Sequence, residues 1–216
     1  MSATRNLGIA AAKGDFIGFL DCDDVWEPAK LEQQLAVMEQ YPCAGMIYGR
    51  TVIWHSWHED AQHSDYYYPL GVPPDALYQP PGLLYVLLAN SGQSPTTCNA
   101  LMRSGVVREV GGFDNSFRGM FEDQVFFAKL MLVAPAYVDG RTWAKYRQHN
   151  RSFSARSARH HEDEPARLRF LRSFAAHAMR SRPGWLMVQV RIAREFARLY
   201  AQRSRRLLRA IRGGLA

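Results

Sequence analysis

The stretch Phe16-Ile17-Gly18-Phe19-Leu20-Asp21-Cys22-Asp23-Asp24 places three carboxylates directly after an apolar run. An apolar run of this length is typical of a buried strand, and the acids then emerge at its carboxyl end. Carboxylates held this close repel one another, which a hard cation such as Mg²⁺ or Mn²⁺ offsets while it also binds phosphate oxygens. Ligands of open α/β sheets bind at this same edge. The stretch therefore predicts a cation and phosphate site, with the alternative that the acids only cap the next helix.

Helical and strand-like segments alternate around this stretch. Residues 3–12 predict a helix, residues 28–41 a second helix with apolar residues at helical spacing, and residues 44–54 a second strand. This order indicates an α/β sheet with crossover helices. The remaining predictions are a long connection at 55–82, a helix at 83–90, a strand at 97–103, a helix at 123–133, a linker at 152–165, and helices at 166–181 and 185–212.

Composition and cysteine content indicate where the protein works. At 216 residues and 47% hydrophobic content, the chain can bury one sizeable core. Cys22, Cys43 and Cys98 form no paired pattern, which favours a reducing compartment. The chain opens with no signal peptide, and its longest apolar run, residues 83–89, is too short to cross a bilayer. We therefore predict a cytoplasmic protein.

The net charge of +7 is distributed unevenly along the chain. Residues 1–150 carry 11 Lys and Arg against 16 Asp and Glu, a net −5, whereas residues 151–216 carry 16 Arg against 4 acids, a net +12. The segment 185–212 has one arginine face and one apolar face, which predicts docking on an anionic membrane surface, peripheral on the inner face. The alternative is a helix that packs on its own domain and leaves its arginines in solvent. The arginine face holds Arg191, Arg194, Arg198, Arg205, Arg209 and Arg212, and the apolar face Trp185, Val188, Ile192, Phe196 and Leu199.

Several short motifs resemble, in sequence and in order, those of family 2 glycosyltransferases. An isolated Asp-x-Asp is a weak signal, whereas an ordered series across residues 2–154 is specific. The series consists of Arg5-Asn6-Leu7-Gly8, Ala11-Ala12-Lys13-Gly14, Phe19-Leu20-Asp21-Cys22-Asp23-Asp24, Trp26, Pro28, Lys30-Leu31, Gly111-Gly112-Phe113-Asp114, Glu122-Asp123 and Tyr146-Arg147-x-His149.

This resemblance implies a fold and an activity. The fold class would be α/β, a GT-A (Rossmann-like) mixed sheet with flanking helices over residues 1–154, followed by a basic helical extension over residues 155–216. The activity would be transfer of a sugar from a nucleotide-diphosphate donor to the hydroxyl of a saccharide or lipid-linked acceptor, with inversion. Synthesis of cell-surface polysaccharide or glycolipid would be the setting.

The resemblance also assigns donor-side roles to individual residues. Asp23 would ligate a Mn²⁺ or Mg²⁺ ion on the diphosphate, and Asp21 would lie near the ribose or the water shell of the metal. Arg5 would lie near the nucleotide phosphates, and His149 near the diphosphate or the metal. The cation would act as a Lewis acid that neutralises charge on the departing diphosphate.

On the acceptor side, the resemblance assigns chemistry to the pair Glu122-Asp123. Asp123 would be the general base that deprotonates the acceptor, beside the second acid Glu122. A helix start is a natural place for acids, and the dipole there tends to lower their pKa, so the pair taken alone also fits a helix N-terminus with no catalytic role.

The resemblance has one clear departure. Family members begin with an additional strand, helix and strand that form the nucleotide-base pocket, whereas this chain starts at Met1, just before the Arg-Asn motif. We therefore expect an N-terminally truncated sheet with an exposed edge, and weak donor binding by the chain alone.

Other functions remain open from the sequence. The Asp21-x-Asp23 strand end also resembles the nucleophile motif of haloacid-dehalogenase-like phosphatases, although the Arg-Asn helix is foreign to them. An inactive transferase could serve as a basic-tailed module that binds membrane or nucleic acid, but no specific nucleic-acid motif accompanies the arginines. His55, His58 and His63, with Glu59 and Asp60, could form a zinc site, but their spacing favours a solvated loop. The aromatic residues Trp54, Trp57 and Tyr66–Tyr68 favour either packing or an acceptor sugar.

Overall fold

The computed structural model describes residues 1–59, 63–117, 120–149, 163–181 and 185–213. The predicted linker at 152–165 and the boundary at 154/155 therefore fall mostly outside the described residues. The helices are α1 (Ser2–Ala11), α2 (Lys30–Gln40), α3 (Gly82–Ala89), α4 (Ser104–Glu109), α5 (Glu122–Val133), α6 (Asp163–Ser181) and α7 (Leu186–Gly213). The strands are β1 (Phe16–Gly18), β2 (Val25–Trp26), β3 (Met46–Trp54), β4 (Ala76–Tyr78), β5 (Leu101–Arg103) and β6 (Ala136–Arg147).

The strands form one mixed sheet with the order β1-β5-β3-β6-β2, and β4 also pairs with β6. β3 and β6 are parallel, whereas the other pairs are antiparallel. β1 is the edge strand next to β5, and Leu20 beyond its end is 48% exposed. The mixed sheet with flanking helices confirms the predicted fold class.

The longest strand, β6, is not among the strands predicted from the sequence. Asp139, Gly140 and Arg141 interrupt its apolar pattern and read as a turn. In the structure Asp139 is buried, and its carboxylate binds the Arg141 guanidinium at 2.6 Å. This local ion pair lets the strand continue, because a buried charge is tolerated when it is paired.

Apolar side chains alternate along β3 toward two cores. Ile47 packs with Met38 of α2 on one face, whereas Met46 and Tyr48 join the larger core on the other. Alternation of this kind follows from the two-residue period of a strand. The larger core holds α5, which is buried along most of its length and packs against α3 and α6.

The C-terminal helices α6 and α7 pack against each other and onto this larger core. On α7, Val188 and Ile192 are buried, and Phe196 and Leu199 pack against the same cluster. The apolar face of the predicted amphipathic helix is thus occupied by the chain's own core, which was the alternative considered for it. The side chains of Arg209 and Arg212 lie outside the described residues. No helix in the described part of the chain is both long and apolar enough to span a bilayer.

Candidate functional site

The carboxylate of Asp21 lies at the end of β1 and is held by two elements. Arg5 of α1 donates from its Nη2 to both Asp21 oxygens, at 3.0 and 3.2 Å. The Thr97 hydroxyl donates to Asp21 Oδ2 at 3.1 Å. Both oxygens of Asp21 are therefore engaged, and its charge is balanced by a guanidinium. The sequence analysis did not identify Thr97, which lies at the start of a predicted strand with no motif to mark it.

Arg5 also reaches the start of α5. Its Nη1 donates to Glu122 Oε1 at 2.8 Å, and the Ser2 hydroxyl donates to Glu122 Oε2 at 3.3 Å. Arg5 and Glu122 are 12% and 7% exposed, so this ion pair is largely removed from water. A single guanidinium thus joins Asp21 to the pair Glu122-Asp123, which lies more than 100 residues later in the chain.

The residue after Arg5 fixes the turn that precedes α5. The Asn6 amide donates to the Phe113 carbonyl at 2.8 Å, and its Oδ1 accepts the Phe113 N–H at 2.8 Å. Gly112 has φ +63, and a Cβ there would lie 2.5 Å from Asn6 Oδ1. The Arg5-Asn6 motif therefore contacts the Gly111-Gly112-Phe113-Asp114 motif directly. This contact fixes α1 against the turn that precedes α5.

Asp23 presents a more open carboxylate than Asp21. Its side chain is 41% exposed, and Oδ2 lies 3.4 Å from His149 Nε2. The Asp23 backbone carbonyl accepts a hydrogen bond from Arg147 Nε at 2.7 Å. The structure therefore brings Asp23, a predicted metal ligand, into contact with His149, which was predicted near the diphosphate or the metal. Asp21, the other predicted metal residue, is engaged by Arg5 and Thr97.

Asp24 is buried directly beside this open carboxylate. Its Oδ1 accepts the Arg147 N–H at 3.0 Å, and the Cys98 thiol lies against it. Burial raises the pKa of Asp24 to about 6, and the nearby charges of Asp23 and Asp21 add to the increase. The sequence marked Asp24 only as one member of the acidic cluster, whereas in the structure it is buried and binds the backbone of β6 at Arg147.

Two tryptophans of the predicted aromatic cluster hold Arg147. The Arg147 guanidinium lies 4.9 Å from the ring of Trp54 and 4.9 Å from the ring of Trp57. The Trp57 indole N–H donates to the Gln148 carbonyl at 2.8 Å. Since Arg147 in turn binds the Asp23 carbonyl and Asp24, these rings support the carboxylate cluster through cation–π contact.

Asp123 lies at the start of α5, next to Glu122. Desolvation raises its pKa above the usual range and Glu122 adds to this, whereas the Gln124 N–H, which donates to Asp123 Oδ1 at 2.8 Å, and the charge of Arg5 lower it. The effect of burial on the pKa of Asp123 therefore outweighs the lowering by the helix dipole that the sequence led us to expect. The preceding residue, Phe121, has φ 72, an uncommon conformation for a non-glycine residue that is often found at functional sites.

A cleft of about 470 Å³ borders this helix start. We call it the Gln93 cleft. Its wall combines residues of β3, the segment after α3, the segment before β5, and the ends of α5 and β6. The lining residues are Thr51, Ile53, Tyr68, Pro69, Asn90, Ser91, Gly92, Gln93, Ser94, Thr96, Gln124 and Tyr146.

Among the described residues, no group of three or more His, Cys, Asp and Glu side chains could hold a metal ion. His55 and His63 lie close, with ring centroids 5.4 Å apart, but Asp60 falls outside the described residues. All three cysteines are free.

These motifs and this fold place the chain among known glycosyltransferases. The model of the family "Glycosyl transferase family 2" matches residues 1–111, and the chain belongs to this family. The match also sets aside the phosphatase reading of Asp21.

Individual relatives agree with this assignment. An uncharacterized glycosyltransferase of Rickettsia typhi, RT0329, is 26% identical over 148 residues, which cover 67% of this chain and 43% of the relative. The putative teichuronic acid biosynthesis glycosyltransferase TuaG of Bacillus subtilis is 36% identical over 52 residues, covering 24% of this chain and 21% of TuaG. The crystal structure of S. aureus TarS 1-349 superposes with a TM-score of 0.61 at 15% identity, covering 94% of this chain and 52% of TarS. The matched part of the chain thus spans less than half the length of RT0329 and of TuaG, and about half of TarS 1-349.

Proposed function

We propose that the protein transfers a sugar from a nucleotide-diphosphate donor to an acceptor hydroxyl with inversion, in the synthesis of a cell-surface polysaccharide or glycolipid. The observation that carries this proposal is the Arg5 bridge, which joins the carboxylate at the end of β1 to the acids at the start of α5. A donor group and a base must lie within reach of one sugar for direct transfer. The name of TuaG, a teichuronic acid biosynthesis glycosyltransferase, supports the polysaccharide setting.

On the donor side, the residues fit a hard divalent cation at Asp23. Its side chain is 41% exposed, and among the described residues the His149 ring lies against its Oδ2, whereas both oxygens of Asp21 are already engaged. Carboxylate oxygen suits both Mg²⁺ and Mn²⁺, and a neighbouring imidazole favours Mn²⁺. When bound, the ion would neutralise charge on the departing diphosphate. Asp23 and His149 would hold it, and Asp21 with Arg5 would position this edge of the site.

On the acceptor side, Asp123 takes the proton of the acceptor hydroxyl. Burial raises its pKa, which makes the carboxylate a stronger base. Glu122 is a different case, because its oxygens are held by Arg5 and Ser2 within the protein. We assign Glu122 a positioning role and Asp123 the proton transfer.

Calorimetry on the full-length protein tests the donor side. We expect Mn²⁺ to strengthen the binding of at least one of UDP, GDP, CDP and dTDP, and Asp23→Asn to remove most of this metal-dependent gain. Asp15→Asn is the matched control, since Asp15 is an exposed acid that directly precedes β1, at the opposite end of the strand from Asp23. Equal metal-dependent affinity in the wild type and Asp23→Asn would overturn the assignment.

We also propose that α7 contacts an anionic membrane surface through charge. Its apolar face is packed on the core, but Arg194, Arg198 and Arg205 are exposed, and so are Leu186 and Met187 at its start. Attraction of this kind is screened by salt.

Flotation with vesicles containing anionic phospholipid at low and high ionic strength tests this second proposal. Changing Arg194, Arg198 and Arg205 to glutamine should weaken binding, whereas Lys13→Gln, an exposed basic residue before β1, should not. Binding that is insensitive to salt or to the triple substitution would refute it.

A further inference from the structure

We propose that the Gln93 cleft binds a neutral saccharide acceptor and discriminates against acceptors that carry a carboxylate or phosphate at the bound sugar. This inference rests on the proposed glycosyl transfer and names the substrate class of its acceptor side. It follows from where the cleft lies, from the side chains that line it, and from how they are held.

The cleft is joined to both halves of the candidate site. Gln124, which lines it, follows Asp123 directly and donates its backbone N–H to the Asp123 carboxylate at 2.8 Å. Thr96, on another wall, precedes Thr97, whose hydroxyl donates to Asp21. The cleft wall is therefore connected to the proposed base through Gln124 and to the Asp21 carboxylate through Thr96 and Thr97.

The lining has the chemistry of a site for an uncharged polyhydroxyl ligand. Three side-chain amides, four hydroxyl groups of Ser and Thr, and two tyrosines supply donors, acceptors and aromatic surface. Amides and hydroxyls can both donate to and accept from sugar hydroxyls, and an aromatic face packs on the apolar face of a sugar ring. The amides belong to Asn90, Gln93 and Gln124, the hydroxyls to Thr51, Ser91, Ser94 and Thr96, and the rings to Tyr68 and Tyr146.

Charge is missing from this lining. Among the described residues that line the cleft, none is Lys, Arg, His, Asp or Glu. Moving an anionic group from water into such a cleft without a counter-charge is unfavourable. The carboxylates of Asp123 and Asp21 would add repulsion. Two cations lie near the cleft, and both are already engaged. Arg5 binds Asp21 and Glu122, and Arg167 donates to Gln124 and to the carbonyls of Leu87 and Leu88.

The polar wall is held in place before any ligand binds. Gln93 is buried; its Nε2 donates to the Gly49 carbonyl at 2.8 Å and its Oε1 accepts the Thr51 N–H at 3.3 Å. Gly92 packs so closely on Gly71 that a Cβ on Gly92 would lie 2.6 Å from the Gly71 Cα. A wall that is ordered in advance lowers the entropic cost of binding a flexible sugar.

Arg167 of α6 connects two parts of this wall. Its guanidinium donates to the Gln124 side-chain carbonyl at 3.2 Å and to the carbonyls of Leu87 and Leu88 at the end of α3. The cleft residues Asn90 and Ser91 follow that helix end. Through Arg167, helix α6 therefore holds two parts of the wall of the proposed acceptor site in place.

Saturation-transfer NMR on the full-length protein with UDP and Mg²⁺ tests the proposal. The probes are matched pairs of methyl glycosides and disaccharides in the gluco, galacto and manno series, each with either a hydroxymethyl group or a carboxylate at C6. We expect at least one neutral probe to bind at least about tenfold more tightly than its uronate partner, a difference of about 1.4 kcal/mol.

A charge placed in the cleft should change this preference. Ser94 lines the cleft and is partly exposed, so Ser94→Lys should shift the neutral-to-uronate ratio toward the uronate by at least about tenfold. Ser204→Lys, at an exposed serine of α7 outside the lining, should leave the ratio unchanged.

Three results would overturn the proposal: equal or tighter binding of the uronates by the wild type, no binding of any probe, or an unchanged ratio in Ser94→Lys. The donor calorimetry separates this from failure of the proposed function. If Asp23→Asn loses the metal-dependent nucleotide binding of the wild type, the donor-side proposal stands. Any of the three results above would then refute the neutral acceptor site alone.

Discussion

Replacing Arg5 by methionine tests whether the bridge between Asp21 and Glu122 holds the site together. Methionine keeps an unbranched apolar stem, which can retain contact with the Phe113 ring now 5.3 Å from the guanidinium. It removes the charge that both carboxylates share. We expect α5 to start with an uncompensated buried carboxylate at Glu122, which is only 7% exposed.

The two contacts of Arg5 differ in their expected contributions. Asp21 is 38% exposed, so loss of that pair should cost only about 0–1 kcal/mol. Glu122 is buried, and breaking a buried pair by removing one partner typically costs about 3–5 kcal/mol. For a chain of this size, that loss corresponds to a decrease of roughly 6–20 °C in Tm. Arg5→Lys should give a smaller loss, because lysine keeps the charge but cannot reach two carboxylates with a planar fork.

Thermal and urea unfolding of Arg5→Met, Glu122→Gln and the double variant measure this coupling. Glutamine removes the charge at position 122, so Arg5→Met should be about 2 kcal/mol less destabilising in that background. If the effect of Arg5→Met is the same in both backgrounds, within about 0.5 kcal/mol, the ion pair does not stabilise the fold and the reasoning fails.

Three further predictions follow from the same structure. Asp123→Asn should keep nucleotide binding but slow sugar transfer at least ~100-fold, measured as release of nucleoside diphosphate with acceptor present; a rate within about threefold of wild type would exclude it as the base. Because burial raises the pKa of Asp24 from 3.8 to about 6, the ionised side chain destabilises the fold most above pH 6. Relative to wild type, Asp24→Asn should therefore become about 1 kcal/mol more stable as the pH rises from 5 to 7 in EDTA. A stability difference that does not change with pH would contradict the raised pKa of Asp24. Gly112→Ala should lose about 1–3 kcal/mol through its positive φ and the contact with Asn6, whereas the helical Gly8→Ala should gain about 0.5–1 kcal/mol; similar melting of both variants would argue against this strain.

Local sequence patterns were sufficient to predict the longer helices and β1, β3 and β5, whereas the short elements β2, β4 and α4 and the long strand β6 were missed. The helices at residues 3–12 and 123–133 and the strand at 44–54 agree with the structure to within two residues at each end, because apolar spacing and Gly or Pro signals mark them directly. β6 could not be predicted in the same way. Its pairing with β3 is a long-range contact, and the Asp139–Arg141 ion pair that lets it continue is visible only in three dimensions.

The candidate site was predictable as a set of residues but not as a set of contacts. The motifs identified Arg5, Asp21 and Glu122, and the structure brings these three together. Their sequence separation gave no indication that one guanidinium joins them. Trp54 and Trp57 were considered for packing or for sugar binding, and they pack on Arg147. An aromatic residue in a sequence shows a surface that can stack but not the group it stacks on.

The family match covers most of the donor side of the proposed site and most of the lining of the Gln93 cleft, from Thr51 to Thr96, but not the proposed base. The match covers residues 1–111, which include the Arg5-Asn6 motif and the Asp21-Cys22-Asp23 motif of the donor side. Asp123, Gln124 and Tyr146 lie beyond it, as does Arg167, which supports the cleft wall from α6. A donor diphosphate needs a counter-charge, whereas an acceptor hydroxyl needs a base and a wall that fits its sugar. We therefore expect substitutions in the Gln93 cleft and at Arg167 to change which acceptor is used while leaving metal-dependent nucleotide binding intact.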